Sequence, residues 1–462
     1  MLGFSELKAR FGEKVKTTPP ARVIVISFVF IILVGTLLLL LPISSKVGGA
    51  SPIDALFTIT SATCVTGLVV GDTFTLWTPF GQGVILVCIQ LGGLGLSTLA
   101  IGFSLLVRRK LGIREMKLAS ETSGGNGLNL AGLLKLTIQF TFACEAIGAC
   151  LLAIRFVPMF GVRGIWPSIF CAISAYCNAG FDVLGFVEGN SSLTAFAGDP
   201  LVTLTISFLI IIGGLGFIVV QDIYVCKIQP MIKHKDTLRL NFHSQICLRG
   251  TVILLVIGTL GFFVLEFSNT MSHLNILEKL NAAFFQSTNT RTAGFATVNI
   301  GAQYEFTKIL SVMLMFIGAC PGSTGGGIKI TTFTVLVVTV ICTVRGNNEA
   351  VVLRHRFSIG TVFKAFTVTT VAFLLVFLDA GIISSLNPDI LYIDCLYEAT
   401  SAFATVGLTA NVTPQLDPIS KLILIFTMFI GRVGPLSFGL SILMRHKPRG
   451  DSIYPEGRML VG

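Results

Sequence analysis

The sequence predicts an all-α polytopic membrane protein folded as four pseudo-repeats of helix, re-entrant pore loop and helix around one central pore. Three observations predict it. The 462-residue chain is 53% hydrophobic and 12% charged, with mean hydropathy +0.85, whereas a soluble globular chain carries about 25% charged residues. Eight apolar runs, at 22–43, 80–107, 130–156, 201–225, 247–267, 307–342, 362–383 and 422–444, are each about as long as the ~20 residues that cross a bilayer core, or longer. And one motif recurs four times: SATCVTGL from Ser61, SAYCNAGF from Ser174, TNTRTAGF from Thr288 and SAFATVGL from Ser401. Its glycines, Gly67, Gly180, Gly294 and Gly407, stand 113, 114 and 113 residues apart, so the copies tile the chain.

The charges orient these repeats. The net charge is +10, and the basic residues cluster in 8–22, 108–117, 227–249, 345–356 and 445–458. Acids such as Asp54, Asp72, Asp182, Glu266, Asp394 and Asp417 fall near the motif instead. The positive-inside rule then places both termini and the joints between repeats in the cytoplasm and the motif outside. The chain divides into a cytoplasmic N-terminal segment 1–21, repeat 1 over 22–118, repeat 2 over 119–242, repeat 3 over 243–352 with an intramembrane loop 319–329, repeat 4 over 353–447 and a tail 448–462. Topology accounts for the basic balance, so nucleic acid is not an expected partner. The first apolar run is too long for a cleaved signal peptide and lacks its small-residue site. Eleven cysteines without a CxxC, most of them inside apolar runs, and five scattered histidines indicate neither a disulfide framework nor a zinc site.

Each repeat carries a short stretch ahead of the motif. In repeat 1 it runs from Ser51 to Ser61, with Ser51 and Asp54 suited to a helix start and Pro52 to its first turn. About 11 residues at 1.5 Å each span half a bilayer, so the chain turns back inside the membrane. An aromatic residue precedes each motif by one helical turn: Phe57, Phe170, Phe284 and Tyr397. Backbone leaving a helix at that depth must be satisfied by protein or water. Extended segments ending in glycine can aim carbonyl oxygens at one axis, with the partly negative helix C-termini behind them. Four such segments make a ring of hard ligands for a dehydrated cation. The candidate backbone ligands are Cys64, Val65, Thr66 and Gly67; Cys177, Asn178, Ala179 and Gly180; Arg291, Thr292, Ala293 and Gly294; and Ala404, Thr405, Val406 and Gly407. The Arg291 side chain is expected behind the ring, braced against an outer carboxylate. Cys64 and Cys177 are expected to be poorly accessible to thiol reagents.

The second helix of each repeat shares another pattern: QLGGLG from Gln90, IIGGLG from Ile211, FIGACPG from Phe316 and FIGRVG from Phe429. Clustered glycines allow close packing or a break in the helix, and the sequence leaves both open. In the third copy, Pro321 and the glycines of CPGSTGGGIK, from Cys320 to Lys329, must interrupt the helix. Gly322, Ser323, Thr324, Gly325, Gly326, Gly327 and Lys329 are read as a gate below the ring, with Arg432 of repeat 4 donating to it. A nucleotide-binding loop needs Lys directly after the glycine, but Ile328 intervenes. Glu145 is expected to be a packed carboxyl without a transport role. No paired carboxylates or nucleophile–base spacing suggests an enzyme.

These motifs, with GSTGGGIK, FIGRVGPLSF and the terminal YPEGRMLVG, make the chain resemble the Trk/Ktr/HKT superfamily of potassium transporters, and the Ktr membrane subunits most of all. The resemblance covers nearly everything from Pro19 to Gly462. It implies potassium uptake across the bacterial plasma membrane by a multi-pass homodimer with one pore per chain, set in membrane lipid. It implies potassium as the transported ion, coordinated by filter backbone ending in the four glycines. It implies that 320–329 is the gating loop with Arg432 as its partner, and that a cytosolic ring of RCK-type nucleotide-binding subunits regulates it. Sodium coupling, making the protein a symporter, is not separated from simple conduction by any of these residues.

Overall fold

The computed structural model describes residues 20–46, 48–94, 130–187, 192–234, 236–347 and 349–434. The basic clusters at 108–117 and 445–458, the end of the run 80–107 and the tail 448–462 lie outside them. Each repeat contains a leading helix, a short buried helix and a return helix. The leading helices are α1 (Pro20–Leu39), α4 (Leu130–Phe160), α8 (Phe242–Leu265) and α12 (Ile359–Leu386). The last three, α4 with the short helix that follows it, are long and apolar enough to cross a membrane, and much of their surface is exposed apolar side chain, such as Val252, Leu260, Phe373 and Leu378.

The short helices are α2 (Pro52–Cys64), α5 (Ile165–Cys177), α9 (Ile276–Asn289) and α13 (Tyr392–Ala404). At 13–14 residues they cannot cross a bilayer. Helix α2 starts as its sequence predicts: Pro52 opens it, and the Ser51 hydroxyl accepts from the Asp54 amide at 3.1 Å. Helix α9 starts with a reciprocal Asn275–Glu278 capping box, which satisfies two donors at once. The aromatic side chains Phe57, Phe170 and Tyr397 are fully buried on the face toward the rest of the fold, and Phe284 is half-buried.

The return helices are α3 (Pro79–Gly93), α6 (Pro200–Leu215), α10 (Glu305–Phe316) and α14 (Pro418–Val433). Three open on a Thr or Asp cap followed by proline: Thr78, Asp199 and Asp417. Breaks fall within these helices, including the one that Pro321 and its glycines predict in repeat 3. The run 201–225 bends by 95° between α6 and α7 (Phe217–Ile223) at Gly216. Helix α10 stops at Phe316, and helix α11 (Ile330–Val344) resumes beyond the glycine-rich loop. Helix α14 stops at Gly434. Gly216 and Gly434 have φ of 86° and 89°, a region open to glycine and strained for other residues.

The arrangement closes on itself. Each return helix packs on the short helix of the following repeat: α3 on α5, α6 on α9, α10 on α13, and α14 back on α2. A two-residue hairpin, β1 (Val351–Val352) with β2 (His355–Arg356), joins repeats 3 and 4.

Candidate functional site

Helices α2, α5 and α13 end on a left-handed cap, and α9 is capped by Thr290, two residues before its own left-handed residue. The residue two before each motif glycine has a positive φ: Val65 at 57°, Asn178 at 60°, Thr292 at 71° and Thr405 at 51°. The glycines follow at 98°, 69°, 85° and 91°. The segments therefore alternate through left-handed residues rather than running extended, which corrects the sequence expectation. The turn lets the chain reverse while its amides fold back on the helix: Val65 and Thr66 donate to Ala62 O and Ser61 O, and the same pairs recur at Asn178, Ala179, Thr405 and Val406. The Ser61 and Ser401 hydroxyls accept from the Gly67 and Gly407 amides at 3.1 and 3.0 Å. These are the partners a buried backbone outside a helix requires.

The glycines meet in a closed ring. A Cβ on Gly67 would lie 2.5 Å from Ala179 O, one on Gly180 2.6 Å from Ala293 O, one on Gly294 2.6 Å from Val406 O, and one on Gly407 2.2 Å from Thr66 O. Each repeat thus touches the next, and the fourth touches the first. All four glycines also line one cavity of about 670 Å³, whose walls include Asp72, Asp182 and His273. The Cys64 and Cys177 side chains point away from the cavity and are fully buried.

The glycines of the return helices serve both purposes that their sequence left open. A Cβ on Gly92 would strike Thr63 O at 2.0 Å, one on Gly213 Tyr176 O at 2.0 Å, and one on Gly431 Phe403 O at 1.9 Å. In these three repeats the helix backbone thus lies directly behind the residue that leads into the segment. In repeat 3 the aligned Gly318 faces Gly326 O of its own loop at 2.1 Å.

That loop occupies the side of the ring away from the cavity. Ile317 and Ile328 pair as a parallel bridge at its neck. Side chains at Gly325 and Gly326 would strike the Thr292 and Thr405 hydroxyls at 2.1 and 2.3 Å. Thr324 Oγ1 donates to Tyr176 O at 3.4 Å. Lys329 Nζ donates to Gly325 O at 2.6 Å and Gly326 O at 3.4 Å, and Ser323 donates to Cys320 O at 2.6 Å. The Arg432 guanidinium donates to Thr324 O and to Gly92 O, joining the loop of repeat 3 to the return helix of repeat 1. In the other repeats Gly93, Gly214 and Ala319 stand where Arg432 stands, and a Cβ on Gly93 would lie 2.4 Å from the Cys177 sulfur.

Three buried polar groups differ from the sequence reading or escaped it. Arg291 does not reach an outer carboxylate: its guanidinium is buried against the Cys320 and Cys247 thiols, toward the loop. Glu266, expected in an outer acidic loop, is fully buried and accepts from Asn269, Thr270, the Tyr304 amide and Thr307. Glu398 was not singled out. It is fully buried and accepts from Thr409, the Ala410 amide at 3.1 Å and Thr413 at 2.7 Å, which pins the chain just after Gly407. Its signal was an acid inside an apolar helix, the same signal that marked Glu145. Glu145 accepts from Gln90 at 3.0 Å and lies 3.9 Å from the Cys177 thiol.

The model of the TrkH family, described as cation transport proteins, matches residues 11–450. The chain is 40% identical to the Ktr system potassium uptake protein B of Bacillus subtilis over 97% of its length and 98% of the relative's. It is 35% identical to the potassium/sodium uptake protein NtpJ of Enterococcus hirae, over 97% of this chain and 98% of that one. The crystal structure of the potassium transporter TrkH from Vibrio parahaemolyticus superposes with a TM-score of 0.68 at 19% identity, covering 90% of this chain and 85% of that one. Match and fold together establish that the chain belongs to the TrkH family of cation transport proteins.

Proposed function

We propose that the chain is the pore-forming subunit of a potassium uptake system in the bacterial plasma membrane, with four repeats around one central pore and both termini in the cytoplasm. The observation that carries this reading is the closed ring of four glycines on the floor of the 670 Å³ cavity. A cation entering from the cavity exchanges its water for the carbonyl oxygens of residues 64–67, 177–180, 291–294 and 404–407, while the C-terminal ends of the short helices supply partial negative charge. No side chain is needed as a ligand, so the four segments differ freely in sequence. The loop 320–329 lies across the exit and acts as the gate. Arg432 and Lys329 hold it through its carbonyls, and their charge opposes an unoccupied cation path. The chain works as a homodimer in lipid, under a cytosolic ring of RCK-type nucleotide-binding subunits.

The name of the Enterococcus relative favours a second reading, in which sodium is co-transported or drives potassium entry. Rubidium uptake into liposomes holding the purified chain separates the two. Uptake competed by potassium and independent of sodium supports the pore. Uptake only with sodium supports coupling, and rubidium uptake that potassium does not compete overturns the filter.

A further inference from the structure

The four junctions between repeats share one further contact, at the outer ends of the helices. Ten residues before the glycine that backs each segment, the return helices carry Gln82, Thr203, Lys308 and Lys421. Each reaches the N-terminal half of the next repeat's short helix. Trp166 Nε1 donates to Gln82 at 2.8 Å, Asn281 Nδ2 to Thr203 Oγ1 at 2.7 Å, Lys308 Nζ to Asp394 at 2.7 Å, and Lys421 Nζ to Asp54 at 2.9 Å. Asn281, Asp394 and Asp54 stand 13 residues before their own ring glycines. At the first junction that place is Pro167, which has no donor, and Trp166 serves instead.

We infer that these four staples are positioning elements of the ring. A return helix is fixed at two points. Its inner glycine lies against its own repeat's segment in repeats 1, 2 and 4, and its outer polar residue holds the next repeat's short helix. The diameter of the ring is then set by four rigid struts joined end to end, and a cation filter discriminates by the placement of its oxygens. Two staples are neutral and two are ionic. The ionic pair at junction 3 is nearly dry, with 6% and 14% of its side chains exposed, while Lys421 and Asp54 at junction 4 are 14% and 34% exposed. Junction 4 also closes the cycle between the ends of the chain, which no covalent connection supports. Asp54 is additionally held by Ser51 at 2.9 Å, so Lys421 finds it pre-positioned.

The inference rests on the proposed filter, and its test keeps the two apart. Lys421→Met and Asp54→Asn remove opposite charges. If the pair acts by position, each lowers the potassium-over-sodium preference in the same direction, by about threefold or more, in line with coupling between contacting residues. The exchanged pair, Lys421→Asp with Asp54→Lys, restores it. The double variant Lys421→Thr with Asp54→Asn copies junction 2 without charge, and it is expected to fold and retain preference even where the single variants do not fold. Preference is read as competition of rubidium uptake and as the potassium and sodium concentrations that raise the melting temperature of the purified protein. Opposite changes in cation flux at constant preference would assign the pair to through-space electrostatics and overturn the inference. Unchanged preference in both single variants would overturn it also. Wild-type protein showing neither uptake nor protection by potassium would overturn the filter itself.

Discussion

The ring and the loop beneath it are both made of glycine, and they use it to opposite ends. In the ring, glycine supplies a positive φ at a place where a neighbouring carbonyl stands 2.2–2.6 Å from any added Cβ. The segments are closed between four helices, with the Ser61 and Ser401 hydroxyls accepting from ring amides and the amides of repeats 1, 2 and 4 returned to their short helices. In the loop, glycine removes side chains so that thirteen residues of irregular backbone, 317–329, fit against the ring's inner side. Its anchors come largely from other repeats: besides the bridge at the neck and Lys329, Cys320 N donates to Gly214 O, Thr324 N to Gly213 O, Phe217 N to Gly322 O, Thr324 Oγ1 to Tyr176 O, and Arg432 to Thr324 O. The ring segments are held by their own short helices, whereas a loop held across repeats can reach a second arrangement within a few kcal/mol when those contacts shift. Under the proposed function, selectivity falls to the ring and release to the loop.

The largest effect expected from breaking this comparison is in the ring. Gly67→Ser places a side chain where φ is 98° and Ala179 O lies 2.5 Å away. One segment must move, and the carbonyls of two repeats move with it. The potassium-to-sodium preference of rubidium uptake is expected to fall about tenfold or more, which corresponds to ~1.4 kcal/mol. A preference unchanged in protein that still elutes as a homogeneous species would remove Gly67 from the selective site.

The loop should respond in the other direction. Arg432→Gln takes away the charge that joins Thr324 O to Gly92 O. Hydrogen bonds from charged groups contribute ~1.5–3 kcal/mol each, so losing one shifts a two-state loop by about tenfold or more toward release. Flux is expected to rise while ion preference stays constant. Shortening 322–327 is expected to do the same. Lower flux with altered preference would make the loop part of the filter and erase the distinction between the two regions.

Much of the ring was legible because it is written four times. A positive φ at Gly67 alone would have looked like any turn, but the same glycine after four half-length helices marked a common axis. Cap signals placed Ser51 and Pro52 correctly for the same local reason. What the sequence did not disclose depended on contacts between repeats. The left-handed residues Val65, Asn178, Thr292 and Thr405 share no side-chain type that announces them. Arg291 could be placed behind the ring, but only the packing of α8 and the loop decides that it meets thiols rather than a carboxylate. The clustered glycines of the return helices left packing and a break equally open, because sequence alone does not show what stands against them. At Gly216 a Cβ would lie 2.7 Å from Pro321 O, so the bend there follows from crowding by the loop.

The smallest expected effect sharpens the outer side of the same comparison. Asp182 follows the ring glycine of repeat 2 by two residues and lines the cavity with Asp72 and His273. Burial raises its carboxyl to about 6, with the Asp72 charge adding to the shift against the Leu184 amide that stabilises the anion. The sign follows directly. Below pH 6 the group is neutral, and above it the cavity gains a negative charge that concentrates cations at the ring. At low ionic strength and subsaturating potassium, uptake should rise roughly twofold to tenfold as the outer pH passes upward through about 6, and salt should flatten the rise. Asp182→Asn should abolish the step. Because the carboxylate acts on arrival and not on coordination, the ion preference should be the same on both sides of the step. A preference that changed with the step would mean that Asp182 shapes the ring's carbonyls, and the boundary between cavity and filter would move inward to include it.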